Sequence, residues 1–237
     1  MFDAKKLLDQ FLGSQVPGLS GSLRDRAGQA GQIAKENPLK TGAIVAALLG
    51  TKTGRDIAGN VATVGGIAAI AGLGYLAYKN YQSGQSPQAV AQPNPQAQSP
   101  VLMPPTDSPF HPQWPALSND FALTLVRAMI AAAKADGHID EAERANIMDK
   151  VHAVDLGAEA EAFIAKELAN PIEIDELVAA ARTEEQRVEV YAASRLTIDP
   201  DTRTERGYLD MLAGRLGLAD ALIDHIDATV SAAKVKA

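Results

Sequence analysis

The feature that most limits the fold of this chain is a run of 22 residues without a charged side chain, from Ile57 to Tyr78. As an α-helix the run would be about 33 Å long, enough to cross the hydrocarbon core of a bilayer. Its five glycines would each cost an isolated helix in water up to about 1 kcal/mol relative to alanine. In lipid, small residues instead allow close helix packing, so we predict a membrane span over residues 57–78. A buried Gly/Ala-rich hairpin in a soluble protein is the alternative.

The flanks of this run agree with a membrane-associated region over residues 1–82. Tyr75, Tyr78 and Tyr81 cluster near Lys79, as an aromatic and cationic interface anchor does. The first residues, MFDAKKLLDQFLG, predict an amphipathic helix and lack the pattern of a signal peptide. The stretch Thr41–Thr51 is uncharged but too short to span, which favours a re-entrant or interfacial partner. The glycine-rich segment also offers a surface for a second copy of the chain.

Residues 83–115 are rich in Pro, Gln and Ser. Proline removes backbone donors and stops helices, and the segment has little large apolar surface to bury. We therefore predict a disordered, extended tether without a core of its own, with a Pro-rich ligand for a partner domain as the lesser alternative. Phe110 and Trp114, near its end, are expected to pack onto the domain that follows.

Charge divides the chain in the same way. The formal net charge of −7 is the sum of +4 over residues 1–82, −1 from Asp107 in residues 83–118 and −10 over residues 119–237. An acidic chain of this kind argues against nucleic acid as a partner. The absence of cysteine excludes disulfides, thiolate metal sites and cysteine nucleophiles.

The back half, residues 116–237, is predicted to be a compact all-α domain of about seven helices. Apolar residues recur with helical spacing throughout, as with Phe121, Leu125 and Met129. Thr183 and Gln186 form a capping box that opens one helix, and Gly217 is expected to end another. No strand pattern competes, so the fold class predicted for the whole chain is all-α.

Two parts of the chain carry a family resemblance. AKADGHIDEAERANI together with LTIDPDTRTERGYLDMLAGRLGL resembles the tellurite-resistance TerB-like domain, an all-helical fold with acidic loops. LLGTKTGRDIAGNVATVGGIAAIAGLGYLAYKNYQ resembles the YebE-like family of bacterial inner-membrane proteins of unknown function, which join such a segment to a TerB-like domain. The resemblance implies a bacterial inner-membrane location, an envelope or stress-related role and no established enzymatic activity.

Acidic residues in two loops are the candidate functional site. Carboxylates are natural ligands of calcium or magnesium, and TerB-like proteins are suspected of binding divalent ions. Each acid also fits an ordinary role, with Asp140 and Asp199 as helix N-caps and Glu143 and Glu205 in first turns. The candidate metal ligands are Asp136, Asp140, Glu143, Asp199, Asp201 and Glu205.

Other chemistry finds little support in the sequence. His138 lies in the first acidic loop and could be a ligand, whereas His152 and His225 are predicted at a helix surface or boundary. Ser118 and Ser194 lack the histidine and acid of a nucleophilic triad, so no catalytic residue or cofactor is predicted. We expect a membrane-anchored, non-enzymatic adaptor or sensor that engages another protein. The alternatives are a divalent-cation-binding protein and, less favoured, a hydrolase with paired carboxylates.

Overall fold

The computed structural model describes Lys5 and residues 66–87, 103–111, 118–135, 141–153, 158–171 and 173–233. These residues form eight α-helices and no strand, which confirms the all-α fold class. In chain order the helices are α1 Gly66–Gln82, α2 Asn119–Ala133, α3 Glu141–Ala153, α4 Ala158–Ala169, α5 Ile174–Ala180, α6 Glu184–Thr197, α7 Arg203–Leu216 and α8 Asp220–Ala233. Seven of them lie in the back half, as predicted.

Helix α6 is the centre of the structure. Every residue from 188 to 198 is buried, and α6 packs against α1, α2, α7 and α8. Helices α3 and α4 pack against each other, and α4 also contacts α2. The large core side chains Tyr191, Leu196 and Leu212 are almost completely excluded from solvent.

Local sequence signals explain where the central helices begin and end. Thr183 and Gln186 form the predicted capping box of α6. Helix α7 ends at Gly217, which adopts a φ of +67°, a conformation that glycine reaches without the steric cost of a Cβ. The N-cap of α7, however, is Thr202 and not Asp199. That prediction is wrong because Asp199 instead pairs with Arg195, one turn earlier in α6.

Helix α1 contains the second half of the predicted span, and it lies in the core of the helical domain. Ala69, Ile70, Leu73 and Ala77 are buried, and α1 packs against α6 and α8. A Cβ built on Gly74 would lie 3.3 Å from Val188 of α6, so glycine permits this close approach. The domain boundary predicted at residue 82 therefore does not separate α1 from the core that it joins.

Part of the predicted tether also contacts the core. Phe110 is buried, and its ring lies 6.2 Å from that of Tyr75 and 5.6 Å from that of Tyr78. The predicted packing of Phe110 is confirmed, and the prediction of a segment without a core does not hold for residues 103–111. Trp114 lies outside the described residues.

Several predicted features of the front half also lie outside the described residues. These are the amphipathic helix at the start of the chain apart from Lys5, the stretch Thr41–Thr51, and residues 57–65 of the candidate span. Within the described ranges, no helix combines the length and the apolar character needed to cross a membrane.

Candidate functional site

The structure describes three of the six acidic site residues in full. Asp199, Asp201 and Glu205 lie at the connection from α6 to α7. Glu143 is in the first turn of α3, but its side chain is not described. Asp136, Asp140 and His138 lie outside the described residues. The metal site formed by all six acids therefore stays a prediction.

Glu205 is a capping residue with its carboxylate already engaged. Its Oε2 accepts hydrogen bonds from Thr202 N at 2.8 Å and from Thr202 Oγ1 at 2.9 Å. In return, Glu205 N donates to Thr202 Oγ1 at 3.2 Å. This reciprocal pair is a capping box, which satisfies backbone donors at the start of α7. The predicted first-turn role of Glu205 is confirmed.

Asp199 and Asp201 contact different arginines, Asp199 through its carboxylate and Asp201 through its backbone carbonyl. Asp199 Oδ1 lies 3.2 Å from Arg195 Nη1, whereas Asp201 is exposed and its backbone carbonyl accepts a hydrogen bond from Arg206 at 2.8 Å. In the part of the chain that the structure describes, no three acidic or histidine side chains are grouped so that they could hold a metal ion.

Arg195 is the centre of a buried polar cluster that the sequence analysis did not identify. Its Nη1 donates to Ile198 O at 2.8 Å, its Nη2 donates to Ser231 Oγ at 3.0 Å, and its Nε lies 3.3 Å from Asp227 Oδ1. The Tyr191 hydroxyl donates to the same Asp227 oxygen at 3.2 Å. Burial, followed by the charge of Asp227, raises the pKa of Tyr191. The cluster ties the end of α6 to α8 and is structural.

Ser194 joins three helices and does not form a nucleophilic site. Its Oγ donates to Ala128 O of α2 at 3.3 Å and lies 3.4 Å from the Tyr208 hydroxyl of α7. Burial raises the pKa of Tyr208 to about 12, so the phenol is neutral at physiological pH.

Two histidines differ in exposure. His152 is exposed and its Nδ1 lies 2.8 Å from Glu161 Oε2, as a surface position predicts. His225 is buried on α8, where its ring lies 6.1 Å from that of Tyr81 in α1. The predicted surface or boundary position of His225 is wrong because α1 covers this part of α8.

A groove of about 340 Å³ opens between α2, α4 and α5. Its lining includes the basic residues Arg127, Lys134 and Lys166 and the acidic residues Glu167, Glu173 and Glu176. The buried side chains Ile130, Ala131 and Leu177 also line it. A concave surface that carries both charges and a few apolar side chains is suited to a peptide of mixed character.

Two basic residues of the groove, Arg127 in α2 and Lys134 at its C-terminal end, are held in place by α4. Arg127 Nε lies 3.1 Å from Glu167 Oε1, and its guanidinium carbon lies 5.3 Å from the centre of the Phe163 ring. The Lys134 ammonium donates to the carbonyls of Glu167, Leu168 and Asn170 at the end of α4. Burial lowers the pKa of Lys134, while Glu167 opposes this change. These contacts position the groove before any partner is bound.

Glu189 is a second buried ionisable group that the sequence analysis missed. It lies in the middle of α6 and is only 3% exposed. Burial, followed by the negative charge of Glu185, raises the pKa of Glu189 well above its ordinary value. The signal in the sequence is a lone acid inside the apolar run Val188–Ala193.

We predict that Glu189→Gln stabilises the protein at neutral pH and that the gain grows as the pH rises. A raised pKa means that the folded state binds a proton more tightly than the unfolded state, so stability falls once the pH exceeds the unfolded pKa of about 4.3. Glutamine keeps the shape and removes this dependence. Urea unfolding from pH 4 to pH 8 measures the difference, with Asp224→Asn, an exposed acid on α8, as the control. An equal gain at every pH would contradict the assignment to Glu189.

The metal prediction has a direct test in calorimetric titration with calcium, magnesium and manganese. Because α1 belongs to the core, the full chain is the proper sample. If the acidic loops bind a cation, Asp136→Asn with Asp140→Asn should weaken saturable binding at least about tenfold, since each carboxylate supplies charge to the ion. Asp224→Asn, an exposed acid on α8, is the matched control. Absence of saturable binding, or equal binding by both variants, would remove the metal hypothesis.

The fold and its polar contacts define an all-helical protein with a preformed charged groove. A profile of the family described as "Protein of unknown function (DUF533)" matches residues 34–230, and the chain belongs to this family. A relative from Yersinia enterocolitica, described as "Uncharacterized protein in ampR 5'region", is 29% identical over 121 residues, covering 51% of this chain and 87% of the relative. No solved structure matches the chain.

Proposed function

We propose that this chain is a membrane-attached, non-enzymatic adaptor or sensor of the bacterial inner membrane. In this proposal the helical domain is TerB-like, the whole chain is a YebE-like protein, and the domain engages a protein partner. The observation that carries the proposal is the groove between α2, α4 and α5, which is lined by residues of both charges and in which Arg127 and Lys134 are held by contacts with Glu167.

The position of α1 determines where a membrane attachment before it would hold the domain. The uncharged run continues from Ile57 directly into α1, which packs in the domain core. Membrane attachment through residues before α1 would therefore hold the domain, and its groove, close to the bilayer surface. A partner that reaches this groove would be another membrane-proximal protein.

The partner-binding role is tested with a photo-crosslinking amino acid in place of Lys166, which lines the groove. The control position is Asp224 on α8, a helix that does not line the groove. We expect one adduct of defined mass from position 166 and none from position 224. The adduct from position 166 should be lost when Glu173→Lys and Glu176→Lys reverse the charge of two acids that line the groove. The same adducts from both positions, or none from position 166, would contradict the proposal.

The membrane role is tested by alkaline carbonate extraction of membranes that contain the full-length protein. We expect the protein to stay in the pellet, and a topology reporter at the C-terminus then identifies the side of the membrane that the domain occupies. Complete extraction into the supernatant would contradict membrane insertion.

A further inference from the structure

Helix α1 lies in a groove formed by α6 and α8. Tyr81 of α1 contacts the buried His225 of α8, with ring centroids 6.1 Å apart, and the Tyr78 hydroxyl donates to Glu184 Oε2 at 3.0 Å. Near the middle of α1, Gly74 faces Val188, which is completely buried. One face of α1 thus covers an apolar surface on α6 and α8.

The other helices hold together through contacts that do not include α1. Arg195 and Asp227 join α6 to α8, and Ser194 joins α6 to α2 and α7. Residues 83–118 separate α1 from α2 along the chain, and Phe110, which lies among them, packs against Tyr75 and Tyr78 of α1 itself. The chain therefore permits α1 to leave its groove while these pairings remain.

The sequence of α1 suits lipid as well as it suits the groove. From Gly66 to Tyr78 the helix has no charged side chain, and the same uncharged run begins at Ile57. Lys79 is the first charge after it, close to Tyr75 and Tyr78, where an interface anchor belongs. In water the glycines weaken this helix, so its apolar surface must be buried in one environment or the other.

We propose that α1 is a shared element that occupies either the groove between α6 and α8 or a lipid bilayer. The two positions exclude each other, because the residues that contact Val188 and His225 belong to the stretch that the bilayer would surround. When the run from Ile57 enters the membrane, α1 leaves the groove and exposes an apolar surface on α6 and α8. This inference rests on the membrane attachment proposed above and adds the helix that responds to it.

The chain contains no cysteine, so introduced thiols report the position of α1 without background. Val188→Cys places a nearly isosteric thiol under α1, and Ser194→Cys places one on the same helix against α2 and α7. Each full-length variant is mixed with a water-soluble maleimide, with and without vesicles of phosphatidylethanolamine and phosphatidylglycerol. We expect vesicles to raise the labelling rate at position 188 by about tenfold or more, as local opening predicts, and to leave position 194 protected.

A second variant tests the same motion from the opposite direction. Gly74→Cys with Val188→Cys places two thiols across the contact between α1 and α6, where a disulfide holds α1 in the groove. We expect the oxidised protein to be extracted from vesicles by alkaline carbonate and the reduced protein to resist extraction. Equal resistance of both forms would overturn the inference.

The outcomes separate this inference from the proposed function. If the unmodified chain is fully extracted by carbonate, membrane attachment fails and the inference fails with it. If the chain resists extraction while position 188 stays protected, attachment stands and the inference is overturned. Labelling at both positions 188 and 194 also overturns it, because that result shows opening of the whole domain.

Discussion

Replacing Leu73 with alanine should lower the free energy of unfolding by about 2–5 kcal/mol, the usual range for truncating a buried leucine. Leu73 lies on α1 and is only 3% exposed, in the core shared with α6 and α8. Leucine and alanine have similar helix propensities, so the loss reports packing and not helix formation. Urea unfolding of the full-length protein, followed by far-UV circular dichroism, measures it.

Leu76 supplies a control on the same helix. It is half-buried, and Leu76→Ala removes the same atoms from a position that is partly exposed to solvent. We expect this change to cost less than half as much as Leu73→Ala. If the two variants unfold at the same urea concentration as the unmodified protein, α1 contributes nothing to the cooperative core, and its assignment to the domain is wrong.

The second large effect is expected at Arg195. Arg195→Met should destabilise the protein by about 1–3 kcal/mol, because it removes the hydrogen bonds of a buried guanidinium and the cationic partner of Asp227, whose side chain is 39% exposed. The guanidinium is 7% exposed and contacts Asp227, Asp199, Ser231 and the carbonyl of Ile198. The same unfolding experiment measures this loss.

Arg206→Met is the matched control for Arg195. Arg206 is exposed, and its guanidinium donates to the carbonyls of Pro200 and Asp201 at the surface. We expect a change within about 0.5 kcal/mol, as for most surface substitutions. In a double-mutant cycle, Arg195→Met with Asp227→Asn should cost clearly less than the sum of the two single changes, because both act on one ion pair. Additive losses would show that the two side chains are not coupled.

The sequence was sufficient for features that depend on neighbouring residues. The capping box of Thr183 and Gln186, the glycine end at Gly217 and the apolar spacing of each helix act within one or two turns. These interactions predicted the number and approximate bounds of the back-half helices. Thr202 and Glu205 form the same kind of pair at the same spacing, so the local sequence also contained the cap of α7, which is Thr202 and not the predicted Asp199.

The sequence was not sufficient for features that depend on contacts between residues in different helices. Asp199 looked like a cap because it precedes a helix, but Arg195 pairs with it from the preceding helix. His225 looked like a boundary residue because only the three-dimensional structure places Tyr81 against it. Of the six predicted metal-site acids, the structure describes Asp199, Asp201 and Glu205 in full: Asp199 pairs with Arg195, Glu205 accepts from Thr202, and Asp201 is exposed.

The sequence by itself determined that this chain is all-helical, because hydrophobic spacing and caps are local properties. It also predicted that the uncharged run over residues 57–78 is buried, either in lipid or in protein. The tertiary structure decided that residues 66–82 pack between α6 and α8. Lipid and a close-packed protein groove both accept a helix of small apolar residues, so only the shape of the surface around Gly74 and Val188 distinguishes the groove.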